Sequence, residues 1–224
     1  MAQPQQVQQD TQTSILRSTR TVTFFTLLSR VSGYLRDLGV AALLGTSLAA
    51  DAFVIAFRLP NLLRRLMADG AMTSAFIPVF TSYRVERSQA EAWEFARQMF
   101  WTLATVLAGF SLLGGIFAAQ LVRLFTLASA DPAKWSLAVF LTRITFPYCL
   151  LISLTALAGG ILNTLRRYGL PAAVPIFFNL ALIAAALVAW LLHYPQPAVI
   201  LAIGVVVGGL IQLEIGRASC RERV

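Results

Sequence analysis

Residues 50–80 read ADAFVIAFRLPNLLRRLMADGAMTSAFIPVF, an apolar run into which Asp51, Arg58, Arg64, Arg65 and Asp69 are set. Two architectures turn on this segment. As one long helix it crosses a membrane with a polar side. As a polar loop between two short apolar runs it reverses the sidedness of everything after it and places Arg166 and Arg167 outside. The helix is the better reading, because each flanking run falls short of the about 20 apolar residues a span needs. Asp51, Arg58, Arg65 and Asp69 follow one another at intervals of seven, seven and four residues. On an ideal helix that spacing aligns them on one stripe and turns Arg64 away. Pro60 lacks a backbone donor and tends to kink a helix, so the alignment holds only approximately across it.

The preceding stretch, residues 29–45, SRVSGYLRDLGVAALLG, repeats the pattern. Arg30 and Asp37 share a narrow sector of this helix, and Arg36 lies on the same broad face. A charge at bilayer depth costs roughly 2.5–3.5 kcal/mol on insertion scales, so such residues face a wet cavity or a partner rather than lipid. The two segments together hold five Arg and three Asp, a formal surplus of +2 that points to an anionic guest. Every cation here is Arg, whose planar fork binds phosphate oxygens in pairs and stays charged when buried. That chemistry suits a diphosphate. The alternative is that the charges only pair with one another to lock helix packing, with Arg58 meeting Asp51 or Asp69.

The rest of the chain agrees with a membrane setting. Of its 224 residues 58% are apolar and 12% charged, and no alternating β-barrel pattern is visible, so the fold class is an all-α membrane protein. Six transmembrane helices are expected at about 19–44, 51–83, 92–127, 135–165, 171–193 and 197–213. Arg17, Arg20, Arg84, Arg87, Arg97, Arg166 and Arg167 gather on alternate connections, whereas the opposite ones hold Lys134 alone, which places the N-terminus in the cytosol. Residues 1–18, Gln-rich at their start, read as a disordered cytosolic tail with no signal peptide, and 19–213 as one helical lobe. Residues 214–224, EIGRASCRERV, break into a basic string that matches a translated sequencing adapter, so the natural gene is expected to continue.

Other residues carry blander readings. The net charge of +8 is dispersed among apolar runs, which argues for topology and against nucleic acid. Cys149 is a packing residue and no disulfide is expected. Arg123 and Arg143 snorkel toward the outer interface, and His193 is a loop residue. Gly33, Gly45, Gly70, Gly159 and Gly160 serve close helix packing. No nucleophile–base set, metal-ligand spacing or phosphate-cradling loop is visible, so no enzyme chemistry, metal or cofactor is expected.

Three segments together carry a specific resemblance: SRVSGYLRD at 29–37, residues 50–80, and ITFPYCLLISLTALAGGILNTLRRYGLPA at 144–172. They resemble the MurJ/MviN lipid II flippases over about residues 19–213. The resemblance implies the N-terminal lobe of a fourteen-helix, two-lobe flippase of the multidrug/oligosaccharidyl-lipid/polysaccharide exporter superfamily. It implies movement of lipid II, a polyprenyl-diphosphate-linked disaccharide-peptide, from the cytosolic to the periplasmic leaflet of the bacterial inner membrane. Arg30, Arg36, Arg64 and Arg65 match the family's diphosphate-binding cavity positions, with Asp37 and Asp51 as counter-charges. Asp69, where the family usually has Glu, and Arg58, where Lys also occurs, match less closely. Lipid II, membrane lipids and the cell-wall synthesis machinery are the implied partners. Coupling is expected through the membrane potential or an ion held outside this lobe. A polysaccharide-lipid flippase or drug exporter of the same superfamily, an intramembrane polyprenyl-diphosphate enzyme and a scaffold protein are the rivals.

Overall fold

Helices account for the regular structure of the chain's computed structural model, which describes residues 4–65, 74–126 and 131–221, with side chains at 19–58, 60–62, 74–124 and 131–220. Among the described residues these are α1 (Pro4–Leu44), α2 (Leu48–Arg65), α3 (Ile77–Glu86), α4 (Gln89–Ile116), α5 (Ala118–Thr126), α6 (Pro132–Thr145), α7 (Tyr148–Thr164), α8 (Gly169–Leu191) and α9 (Pro197–Arg221). Among the described residues four stretches are long and apolar enough to cross a membrane: Gln89–Ile116, Pro132–Thr164, Gly169–Leu191 and Pro197–Cys220. Their exposed surface is apolar too, with Trp101, Leu112, Leu187 and Trp190 more than half exposed, as lipid contact requires.

Three of the six expected helices are divided. The one at 51–83 appears as α2 and α3, with 66–73 outside the described residues. Within α2, Pro60 sits fully buried and leaves one turn without a donor. The helix expected at 92–127 breaks at Phe117, between α4 and α5. The one at 135–165 breaks at Phe146 and Pro147, because Pro147 has no N–H to continue the ladder; the helical pattern resumes when Cys149 N–H donates to Phe146 O at 3.0 Å. Starts also move outward. Ser88 caps α4 by accepting from Glu91 N–H at 3.2 Å, and Asp131 caps α6 by accepting from Ala133 N–H at 2.9 Å. The first helix begins at Pro4, where a disordered tail was expected: Gln is a good helix former, and neither Gly nor Pro interrupts 5–32.

Packing is set by α8, which lies against both α1 and α9, by α7 against α9, and by α2 against α6. The main core gathers Phe53, Leu141, Tyr148, Phe178, Leu182, Leu201 and Val205. A smaller core under α3 and α4 holds Phe76, Phe80, Ala92, Ala96, Leu157 and Ile161. Glycines permit the closest approaches. A Cβ on Gly114 would fall 1.9 Å from the Phe146 ring, and one on Gly204 would fall 2.6 Å from Ala185 Cβ. Gly45 has another role than packing: at φ +58° it ends α1 in the left-handed conformation, its N–H donating to Ala41 O at 2.8 Å.

The α6–α7 stretch fixes two ends of the bundle. Its 33 residues extend roughly 50 Å at about 1.5 Å per residue. Near its start Lys134 pairs with Asp51 of α2, and at its finish Thr164 O accepts from Arg84 Nη1 at 3.1 Å. The end of α3 that holds Arg84 and the α7–α8 turn that holds Arg166 therefore share one end, and Lys134 in α6 marks the other.

Candidate functional site

A cavity of about 880 Å³ opens between α1, α2, α7, α8 and α9. Thr26, Ser29, Arg30, Gly33 and Arg36 reach it from α1, which exposes one polar face at helical spacing. Phe57 and Asn61 come from α2, Thr155 and Asn163 from α7, Asn179 from α8 and Gln212 from α9. Among the described lining residues Arg30 and Arg36 are the charged side chains, and none is a carboxylate.

Arg36 is held on two sides. Its Nε and Nη2 donate to Asp37 Oδ1 at 3.0 and 2.7 Å, and its Nη1 donates to Asn179 Oδ1 at 2.9 Å. A guanidinium has five N–H donors, so one remains on each terminal nitrogen. Asn179 is 5% exposed and spends its own donors on α1, giving to Ser29 O at 3.0 Å and Ser32 Oγ at 2.9 Å. The amide thus locks α8 to α1 and orients the arginine in one motif. Arg30 is exposed toward the cavity and makes no side-chain hydrogen bond or ion pair among the described residues.

The other expected site residues are placed differently. Asp37 binds Arg36 from outside the lining, its carboxylate 68% exposed against 23% for the arginine. Asp51 lies away from the cavity, paired with Lys134 at the far end, because α6 passes α2 there. Arg58 is exposed and does not line the cavity, and neither Asp51 nor Asp37 reaches it as an ion-pair partner. The Arg64 and Arg65 side chains, and the whole of Asp69, lie outside the described residues; the backbone of the two arginines forms the last turn of α2.

The uncharged amides went unread in the sequence. Asn179 is the lone amide in the 23 residues of α8, and a solitary amide in an apolar span already calls for a partner. Gln212 is similar: its Nε2 donates to Val174 O at 3.3 Å, and its Oε1 accepts from Tyr148 at 3.5 Å.

Comparison with known proteins shows the family. Residues 40–221 match the family profile described as lipid II flippase MurJ. The chain is 42% identical over 205 residues to the lipid II flippase MurJ of Burkholderia cenocepacia, covering 90% of this chain and 39% of that protein. It is 39% identical over 208 residues to the probable lipid II flippase MurJ of Vibrio cholerae, covering 88% and 39%. A solved structure titled lipid II flippase MurJ, inward closed conformation, superposes with a TM-score of 0.71 at 27% identity over 87% of this chain and 41% of that one. The chain thus spans about two fifths of the length of the relatives it matches. With its apolar helices, the profile match and the shared fold, the chain belongs to the lipid II flippase MurJ family of bacterial inner-membrane proteins.

Proposed function

We propose that this chain forms the N-terminal, six-span lobe of a fourteen-helix flippase that carries lipid II from the cytosolic to the periplasmic leaflet. The N-terminus and the Arg84–Arg166 end face the cytosol, and the Lys134 end faces the periplasm. In this reading α2 with α3, α4 with α5 and α6 with α7 each act as one span. The observation that carries it is a cavity walled by Arg30 and Arg36, with no carboxylate among its described lining residues, inside an otherwise apolar bundle. An anion is the guest such a wall favours. Two N–H groups of Arg36 stay unspent, one per terminal nitrogen, and suit two oxygens of a phosphate.

In the mechanism, Arg30 and Arg36 hold the diphosphate while the polyprenyl tail stays in lipid, and Arg64 and Arg65 add charge from the end of α2. Asp37 moderates Arg36 so that the headgroup is released after the lobes rock. Asp69 adds a counter-charge beside Arg64 and Arg65, whereas Asp51 and Arg58, which do not line the cavity, stay outside this path. Movement of charge through the membrane potential supplies roughly 2.3 kcal/mol per elementary charge per 100 mV. The cell-wall synthesis machinery then receives the flipped lipid.

A chimera tests the proposal. Residues 19–213 replace the matching part of the Burkholderia cenocepacia relative, in cells depleted of their own lipid II flippase. Growth is restored by the chimera and not by residues 19–213 alone. An inserted chimera that leaves the cells unable to grow overturns the reading.

A further inference from the structure

Opposite the Lys134 end, the corner between α7 and α8 carries a second concentration of positive charge that the cavity does not use. Thr164 O accepts from Arg84, which fixes one guanidinium against the end of α7. Arg166 follows at φ +58°, a left-handed conformation that is unusual for a residue other than Gly. The turn is closed by Arg166 N–H to Asn163 O at 3.0 Å and Arg167 N–H to Leu162 O at 2.9 Å. Glycine would make the same turn without the backbone cost, so an arginine here needs a use for its side chain.

Four features indicate what that use is. Both Arg166 and Arg167 are exposed, and their side chains make no hydrogen bond or ion pair among the described residues. Helix α1 passes close by, since a Cβ on Gly169 would lie 3.1 Å from Thr21 Cγ2, and this brings exposed Arg20 to the same corner. The carboxylates of α3 and α4 have partners on their own stretch: Glu86 with Ser82, Glu91 with Arg87 and Glu94 with Arg97. Tyr168, 41% exposed beside Arg167, is the kind of aromatic that settles at the headgroup level of a bilayer.

We propose that Arg20, Arg84, Arg166 and Arg167 form a second anion site, separate from the cavity, which takes the phosphate of an anionic membrane-lipid headgroup. The site holds for a membrane bundle of any activity and does not depend on the flippase reading. Guanidinium forks match phosphate oxygens, and each basic residue near a membrane surface strengthens anionic-lipid binding about fivefold. A free phosphate ion offers the same oxygens, but a tethered headgroup is already concentrated at this level.

The test is native mass spectrometry of the chain released from nanodiscs of equal phosphatidylglycerol and phosphatidylcholine. The wild type retains phosphatidylglycerol preferentially. Arg166→Gly combined with Arg167→Gln reduces that preference about 25-fold, while Arg166→Gly by itself raises the melting temperature, so loss of lipid is not loss of fold. Arg166→Lys with Arg167→Lys keeps the preference. Millimolar inorganic phosphate leaves the lipid in place. Undiminished preference in the Gly/Gln variant, its loss in the Lys variant, or displacement by inorganic phosphate each overturns the proposal.

Discussion

Asn179 Oδ1 accepts a hydrogen bond from Arg36 Nη1 at 2.9 Å, joining residues 143 positions apart and setting the cavity arginine from a different helix. The same amide donates to Ser29 O and Ser32 Oγ, so it couples the α1–α8 seam to the orientation of the guanidinium. A residue with both tasks affects stability and ligand binding together.

Asn179→Ala leaves Ser29 O and Arg36 each without one partner. The expected loss of stability is about 1–3 kcal/mol, the cost of buried groups left unsatisfied. Asn179→Asp keeps an acceptor for Arg36 but loses the donors to Ser29 O and Ser32 Oγ and adds a carboxylate where the described lining has none, so it too is destabilised and in addition binds pyrophosphate-bearing lipid more weakly. Thermal unfolding in detergent and undecaprenyl diphosphate binding, measured on both variants, separate the effects. Equal binding by Asn179→Asp and wild type contradicts the account.

Gly114 marks where α4 meets the α6–α7 break. A Cβ there would stand 1.9 Å from Cε1 of a fully buried Phe146 ring, so Gly114→Ala forces the ring or a helix to move. Overpacking of this kind costs about 1–3 kcal/mol. Gly115→Ala, one position along, meets nothing within 4 Å. The melting temperature falls for the first variant and holds for the second; equal behaviour refutes the packing.

His193 ends α8 at φ +46°, with Tyr194 N–H donating to Ala189 O at 3.1 Å. For an L-residue this conformation costs roughly 1–2 kcal/mol, part of which glycine recovers. His193→Gly is therefore expected to stabilise the protein by about 0.5–1 kcal/mol, as read by thermal unfolding. A destabilised variant assigns the imidazole a contact of its own.

The class of the fold was legible because apolar runs of membrane length leave few alternatives, and the polar face of α1 was legible because Arg30 and Arg36 stand out in an apolar span. Two kinds of feature escaped. Asp51 was grouped with Arg58 by helical spacing, yet its partner is Lys134, 83 residues away, a pairing that only the approach of α6 to α2 creates. Asn179 carries no charge and so drew no notice, although its isolation in α8 was visible. Glycines showed the same limit: nothing in the sequence separates Gly114, against Phe146, from Gly115, which faces open space.

Sidedness is open to direct labelling. In a chain with Cys149 and Cys220 replaced by Ala, exposed Ala133→Cys at the Lys134 end is expected to react with an impermeant maleimide in intact cells. Exposed Gln89→Cys, at the Arg84 end, reacts only after the membrane is opened. The reverse pattern inverts the proposed orientation.

The central claim is that Arg30 and Arg36 act on a diphosphate rather than on packing. In the complete flippase that carries this lobe, Arg30→Ala and Arg36→Ala each remove a charge-assisted contact of about 1.5–3 kcal/mol. Lys at either site keeps charge without the fork and gives an intermediate defect. The deciding measurement is lipid II exposed at the periplasmic leaflet, normalised to membrane-inserted protein. The account predicts that this ratio collapses in the Ala variants while insertion is unchanged. A normal ratio, or a loss of flux only in proportion to protein abundance, would make these arginines packing devices and contradict it.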